Sequence, residues 1–192
     1  MSLDGGVVPR LMLLTDRSQL RLGRGLVRTV RECAAAGLEA VVVREHDLPP
    51  ESRAALVAEL ATVDGLLVIS SRLPDPSAHG LHLAADQPPP STRWGRSCHT
   101  EDEVRRAAAE GAAYATLSPY AASSSKPGYG PRVDPRAFGG DHGLPVLALG
   151  GIDADNARAA IEAGAHGVAV MGCVMRATDP AAVVTALLEV LR

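Results

Sequence analysis

Three segments of this chain repeat one pattern, and that repeat restricts the fold more than any other feature. In residues 33–43, 107–117 and 160–170, small residues end a helical stretch, a glycine follows, and a buried apolar strand comes next. The glycine ends the helix in a left-handed conformation, and the small residues let the helix lie close to a sheet. Repeated units of this type predict parallel strands joined by right-handed crossovers.

The same signals predict the individual elements along the chain. The predicted strands are residues 10–15, 39–44, 65–70, 80–83, 93–97, 113–118, 145–149 and 167–171. The predicted helices are residues 20–36, 52–61, 101–110, 154–163 and 180–191, with Thr100 as one N-cap and Asp179–Pro180 opening the last helix. Residues 71–79 and 84–92 are too short and too rich in proline for regular helices.

We therefore predict a compact α/β protein with a (β/α)8 TIM barrel in residues 9–192, with shortened or missing helices after strands 3 and 4. Residues 1–8 are interpreted as a flexible leader. A doubly wound open sheet is the alternative fold. It predicts a Gly-x-Gly-x-x-Gly turn after the first strand, which LMLLTDRSQL lacks.

Composition argues against several classes of partner and site. The net charge is −3 without a basic stripe, which argues against nucleic acid as the main partner. No apolar run is long enough to span a bilayer, and no secretory signal opens the chain. The three cysteines are odd in number and widely spaced, which makes disulfides and a zinc cluster poor candidates and agrees with a cytoplasmic location.

Residues 144–172, LPVLALGGIDADNARAAIEAGAHGVAVMG, predict a phosphate site. A first apolar run meets Gly150 and Gly151, Asp153 stands where a helix N-cap is expected, and a second apolar run ends in Gly172. Two such elements at the end of an alternating chain match the phosphate site after strands 7 and 8 of a (β/α)8 barrel. The alternative is an ordinary βαβ unit whose glycines only turn corners.

Polar residues that follow the predicted strands are expected to gather at one mouth of the barrel. Arg44, Arg72 and Lys126 offer positive charge for a substrate with two or three negative charges. Lys126 belongs to residues 119–134, which we interpret as a mobile lid whose Ser123, Ser125 and Lys126 bind phosphate oxygens. A polar loop without a ligand is the alternative for this segment, and surface solvation is the alternative for Arg72.

Several of these motifs resemble thiamine phosphate synthases and their thiazole tautomerase relatives. The lid segment YATLSPYAASSSKPG resembles the family's Y-I-x-x-G-P-V-F-x-T-x-T-K-x-G. VVVREHDL resembles V-Q-L-R-E-K-D, GRSCHTEDE resembles G-x-S-x-H-x-x-x-E, and LPVLALGGI with GVAVMGCV resembles P-V-V-A-I-G-G-I with G-V-A-V-V-S-A-I. The resemblance extends over nearly the whole chain in order and spacing.

The resemblance implies a transferase of thiamine biosynthesis that joins a hydroxymethylpyrimidine diphosphate to a thiazole phosphate and expels pyrophosphate, with Mg²⁺ as cofactor. It implies that the thiazole phosphate lies on the backbones of Gly150, Gly151, Ile152, Gly172 and Cys173, helped by Ser123 and Ser125. The pyrophosphate and pyrimidine side comprises Arg44, Ser70, Arg72, Ser97 and Lys126. Barrels of this family often pair, so a homodimer is the implied oligomer.

The departures from the family pattern leave other functions open. Ser70–Ser71 replaces Asn-Asp, and the family's second metal aspartate is either Asp86, one position early, or has become Gln87, so at most one candidate metal ligand is in sight. His46 replaces a lysine, and we add it to Arg44, Ser97 and Lys126 as a candidate catalytic group, with His82 as a second candidate acid or base. The alternatives are a thiazole phosphate tautomerase, whose catalytic histidine falls at Pro119, and a non-catalytic phosphate-binding protein with an eroded metal site.

Overall fold

The computed structural model describes residues 7–122 and 131–192 of the chain. Eight parallel strands form one closed barrel, in which neighbours follow chain order and the last strand pairs with the first. The strands are β1 Leu11–Leu14, β2 Ala40–Val43, β3 Leu67–Ser71, β4 Gly80–Leu83, β5 Trp94–Cys98, β6 Tyr114–Leu117, β7 Val146–Leu149 and β8 Gly167–Val170. The predicted (β/α)8 barrel and all eight strands are confirmed, with strand ends that differ from the prediction by at most two residues.

Six α-helices cover the outside of the barrel within the described residues. They are α1 Leu26–Ala35, α2 Pro50–Ala61, α3 Glu101–Ala109, α4 Ala157–Glu162, α5 Gly172–Met175 and α6 Pro180–Leu191. Short 3-10 turns occupy Arg17–Gln19 and Pro135–Phe138. In this part of the chain no helix combines the length and the apolar character needed to cross a bilayer.

Two helices begin later than the sequence predicts, and one short helix was not predicted. Leu22 and Gly23 adopt left-handed backbone angles, φ 58° and 66°, so α1 cannot begin before them. The Asp153 carboxylate accepts the N–H groups of Asp155 and Asn156 in a turn, and Asn156 rather than Asp153 is the N-cap of α4. The short helix α5 begins directly after β8.

The predicted lack of helices after β3 and β4 is confirmed, and outward-facing side chains of β5 cover that side instead. The Arg96 side chain is 1% exposed. Its Nη1 lies 2.5 Å from the Glu110 carboxylate, and its Nη2 donates to the Gln87 carbonyl at 2.7 Å. The same guanidinium lies 4.7 Å from the centre of the Trp94 ring. A cation held by a carboxylate, a carbonyl and an aromatic face therefore replaces the missing helix layer.

Inside the barrel, inward-facing residues of β1 to β3 and of β6 to β8 form an apolar cluster that includes Met12, Val42, Ile69 and Leu147. The predicted leader boundary needs a correction, because Val8 belongs to this cluster and is 4% exposed. Its carbonyl also accepts a hydrogen bond of 2.8 Å from His166 Nε2. The packed part of the chain therefore starts before residue 9.

The largest interior side chain depends on a glycine in the neighbouring strand. Gly95 pairs with Tyr114 across β5 and β6, and a Cβ at position 95 would overlap the Tyr114 ring. Tyr114 is fully buried, so its ring has little freedom to move aside. Gly95 thus leaves the volume that the tyrosine fills.

We expect Gly95→Ala to lower the free energy of unfolding by about 2 to 3 kcal/mol, because the added methyl overpacks the barrel interior. Gly25→Ala is the matched control, since a Cβ there meets nothing within 4 Å and Gly25 has φ −84°. Urea unfolding of both variants checks this. Equal stability losses in the two variants would contradict the packing argument.

Candidate functional site

A cavity of about 180 Å³ opens at the carboxyl ends of β7 and β8. Its described lining is Ala122, Leu149, Gly150, Gly151, Ile152, Asp153, Ala169, Val170, Met171, Gly172, Cys173 and Arg176. Five of these residues, namely Gly150, Gly151, Ile152, Gly172 and Cys173, are the ones for which the sequence predicts phosphate binding. The structure therefore brings both predicted glycine turns to one concave surface.

The glycines of the first turn allow a close approach between two loops. Gly150 and Gly151 have φ 97° and 66°, and a Cβ at Gly151 would lie 2.8 Å from the Ala121 carbonyl oxygen. The loop after β6 is held in place by the Tyr120 and Ala121 N–H groups, which donate to the carbonyls of Leu149 and Gly150 at 2.9 and 2.8 Å. The backbone of one loop thus forms part of the cavity wall beside the other.

Backbone donors are available at this surface. Over residues 7–122 and 131–192, no backbone carbonyl accepts from the N–H groups of Gly151, Ile152 or Gly172, whereas the Cys173 N–H donates to its own thiol. Burial raises the pKa of the Cys173 thiol to about 11, so this side chain is neutral near pH 7. Backbone N–H groups without acceptors, beside a neutral thiol, are typical of a site for an anion.

The predicted ligands of the lid, Ser123, Ser125 and Lys126, lie outside the described residues. Ala122, which is bonded directly to Ser123, lines the cavity. The chain thus enters that segment from the edge of the cavity.

Arg44 lies beside the same cavity, on the β2 side of the mouth. Its backbone N–H donates to Thr15 Oγ1 at 3.0 Å, which joins the ends of β1 and β2. Its guanidinium Nη1 lies 2.8 Å from Met171 Sδ, and Met171 lines the cavity. The predicted cation of β2 therefore adjoins the predicted phosphate surface of β8.

The cations at this mouth act on both nearby histidines. Partial burial, followed by the charges of Arg72, Arg44 and Arg53, lowers the pKa of His46. Burial, followed by the charges of Arg44 and Arg72, lowers the pKa of His82 to about 4. Because the same two arginines disfavour a proton on both rings, the positive potential extends across the mouth, and it favours an anion.

Ser70 does not lie at the mouth as predicted. Its Oγ accepts a hydrogen bond of 3.0 Å from Arg53 Nη2 and donates to the Leu73 carbonyl, on the helix side of the sheet. The next residue, Ser71, points the other way, and its Oγ lies 3.4 Å from His46 Nε2. Side chains alternate along a strand, so only one of two consecutive serines faces the interior.

A chain of hydrogen bonds crosses the inner face of β4, β5 and β6. His82 Nε2 lies 2.8 Å from Ser97 Oγ, and His82 Nδ1 lies 3.0 Å from the Tyr114 hydroxyl. Thr116 pairs with Ser97 in the sheet, and its buried Oγ1 has no partner among the described residues. The neutral imidazole thus holds the predicted Ser97 in place, while His82 itself is a buried side chain with both nitrogens engaged.

The predicted metal ligands do not fit a Mg²⁺ site built by the protein. Asp86 is exposed, and Ser71 stands where the family pattern has an aspartate. In the described part of the chain, no group of three His, Cys, Asp or Glu side chains is arranged to hold a metal ion. Protein sites usually bind Mg²⁺ through one or two carboxylates. At the positions of the family's two metal aspartates, this chain does not supply a pair of carboxylates.

Three side chains of the site were missed by the sequence analysis: Met171, Arg176 and Tyr114. Met171 and Tyr114 look like core residues in sequence, because they sit in apolar runs. Arg176 did leave a signal, because it follows Gly172 by four residues. That spacing brings two side chains to one face of a helical turn.

Comparison with known proteins identifies the family of this chain. A cavity lined by glycine turns after β7 and β8 of a closed parallel barrel is typical of barrel enzymes that act on phosphorylated substrates. Residues 11–174 match the thiamine monophosphate synthase family model. The chain belongs to that family.

Individual relatives span nearly the full chain. A thiamine-phosphate synthase of Methanoculleus marisnigri is 35% identical over 198 residues, covering 92% of each chain. A thiamine-phosphate synthase of Moorella thermoacetica is 34% identical over 187 residues, covering 88% of this chain and 89% of its own. A solved thiamine phosphate pyrophosphorylase of Pyrococcus furiosus, 24% identical, shares the fold with a TM-score of 0.83 over 95% of each chain.

We expect His82→Gln to weaken the dependence of stability on acid. The folded protein holds the pKa of His82 at about 4 against an ordinary 6.5, so the unfolded chain takes up its proton first as pH falls. The wild type therefore loses stability from pH 6.5 down to about 4, whereas above 6.5 the group contributes no pH dependence. Between about pH 7.5 and about pH 5, the variant should lose about 2 kcal/mol less than the wild type.

Urea unfolding at the two pH values measures this difference. Tyr114→Phe is the matched control, because it removes the hydroxyl beside Nδ1 but keeps the buried imidazole, so the acid-dependent loss should remain. If His82→Gln retains the full wild-type loss, His82 is not the group that titrates.

Proposed function

We propose that this protein is a thiamine phosphate synthase, which joins a hydroxymethylpyrimidine diphosphate to a thiazole phosphate and releases pyrophosphate. The observation that carries the proposal is the 2.8 Å contact between Arg44 Nη1 and Met171 Sδ, because it sets a cation for one substrate against the phosphate surface for the other. Family membership supports the same reaction. Both substrates are small phosphorylated molecules.

The thiazole phosphate is proposed to lie in the cavity at β7 and β8. Its phosphate accepts hydrogen bonds from the backbone N–H groups of Gly151, Ile152, Gly172 and Cys173, with Ser123 and Ser125 added from the loop that continues Ala122. This surface holds the phosphate end of the molecule, so the ring nitrogen is directed toward the middle of the mouth.

The diphosphate is proposed to lie across β2, β3 and β5. In the reaction, the bond between the pyrimidine methylene carbon and the diphosphate oxygen breaks, and the electron pair leaves with pyrophosphate. The thiazole nitrogen then donates its lone pair to the methylene carbon, forming the new C–N bond. Arg44, Arg72 and Lys126 stabilise the charge that develops on the leaving group, and the Ser97 hydroxyl donates to one of its oxygens.

The tautomerase alternative has less support from the geometry. That chemistry needs a group that accepts and returns a proton near pH 7. His82 is buried with a pKa of about 4 and both nitrogens within hydrogen-bond distance of partners. Partial burial and then the neighbouring arginines lower the pKa of His46 as well.

We expect purified protein supplied with both substrates and Mg²⁺ to form thiamine phosphate, detected by chromatography after oxidation to a fluorescent product. Arg44→Gln should lower kcat/KM by about 100-fold, because one donor to the developing charge is lost. Arg105→Gln is the matched control, since Arg105 is exposed on α3 and paired with Glu101 and Asp102. Its kcat/KM should stay within about twofold of the wild type.

Absence of product with the wild type would refute the synthase proposal. Calorimetric titration with thiazole phosphate alone then separates two cases. Retained binding would leave a phosphate-binding protein, and loss of binding would remove the phosphate surface as well.

A further inference from the structure

We propose that Arg176 is a phosphate-binding residue of the cavity at β7 and β8 and selects a doubly charged phosphate monoester over neutral ligands. This inference rests on the proposed function, since it concerns how the same cavity holds the thiazole phosphate. Arg176 follows α5 and lines the cavity together with the two glycine turns. A guanidinium presents several N–H donors in one plane, a geometry that suits phosphate oxygens.

Gly172 provides the space that the guanidinium occupies. A Cβ at position 172 would overlap Nη1, Nη2 and Cζ of Arg176, so the guanidinium lies directly over the Gly172 backbone. Any larger residue at 172 forces the arginine away, and the family pattern quoted above has serine at this position. Glycine at 172 and arginine at 176 are therefore a matched pair in this chain.

The charged groups that line the cavity explain why Arg176 is important for binding an anion. In the described lining, Asp153 and Arg176 are the two groups that carry a full charge near pH 7, because burial keeps the Cys173 thiol protonated with a pKa of about 11. Backbone N–H groups contribute only partial charges. Arg176 is therefore the cation among the described lining residues that balances a phosphate dianion, and Arg44 adjoins the cavity from the β2 side at Met171.

A second pair of side chains fixes the direction of the guanidinium. Arg176 Nη1 donates to Gln19 Oε1, and Gln19 Nε2 donates to the Asp16 carboxylate at 2.6 Å. Although partial burial of Asp16 opposes ionisation, hydrogen bonds from Ser18 and Gln19 lower its pKa overall. The ionised Asp16 orients the amide so that its oxygen faces the arginine, and this hydrogen bond holds the guanidinium over Gly172 at the cavity.

The first test compares binding of thiazole phosphate and of the unphosphorylated thiazole alcohol. Calorimetry with Arg176→Gln should show a Kd for thiazole phosphate about 10- to 100-fold above the wild-type value. Saturation-transfer NMR should show unchanged binding of the alcohol. Arg105→Gln removes an equivalent charge from the exposed face of α3 and should leave both ligands unaffected.

The second test moves the guanidinium without removing it. Gly172→Ser should weaken thiazole phosphate binding about tenfold, because the new side chain displaces the flexible end of Arg176. In the Arg176→Gln background, the same serine should change Kd by less than about twofold, since there is no guanidinium to displace. Thermal unfolding of each variant verifies that the barrel is folded.

The outcomes separate this inference from the proposed function. Suppose that the wild type binds thiazole phosphate and that Arg176→Gln binds it equally well, or that the variant binds the phosphate and the alcohol more weakly by the same factor. Arg176 then does not recognise the phosphate group, while the synthase proposal stands. Equal effects of Gly172→Ser in both backgrounds likewise refute the matched pair. If the wild type fails to bind thiazole phosphate, both proposals are wrong.

Discussion

The site depends on one constraint: along each of the eight parallel strands, side chains alternate between the inside and the outside of the barrel, and the pairing register sets which ones face inward. Ser71, His82 and Ser97 meet at the inner face because each occupies an inward position of its strand. A shift of one residue in a strand would exchange its inner and outer sets, and Arg96 with its carboxylate partner would then enter the barrel. The polar mouth and the helix-poor outer side are thus consequences of the same register.

The sequence predicted the eight strands and the two glycine turns that line the cavity because their signals are local: an apolar run, a glycine and a following polar residue. It misassigned Ser70, since two consecutive serines carry no indication of which one faces inward until the strand ends are known. It placed Val8 outside the domain because the contacts of that residue, with the interior apolar cluster and with His166, involve residues far along the chain. The local sequence pattern therefore could not predict the direction of side chains at strand ends or the contacts between distant residues.

At the mouth of the barrel, this chain has other residues where the family pattern has carboxylates, and the structure shows what these residues contact. Ser71 contacts His46 where the pattern has an aspartate. The charges of Arg44 and Arg72 reach both nearby imidazoles. A site with fewer carboxylates holds a more positive potential at a given number of arginines, and such a potential attracts polyphosphates directly. The remaining side chains therefore still fit two phosphorylated substrates.

The end of β8 connects the two halves of the site. Met171 contacts the Arg44 guanidinium, and the next residue, Gly172, lies beneath the Arg176 guanidinium. The guanidinium groups of Arg44 and Arg176, which we propose to serve different substrates, therefore contact consecutive residues just after β8. Because a reaction between two bound molecules depends on their relative placement, we propose that these adjacent contacts limit how far either phosphate group can move from the other. Because Gly172 lies so close to the Arg176 guanidinium, a side chain at position 172 would displace that positive charge.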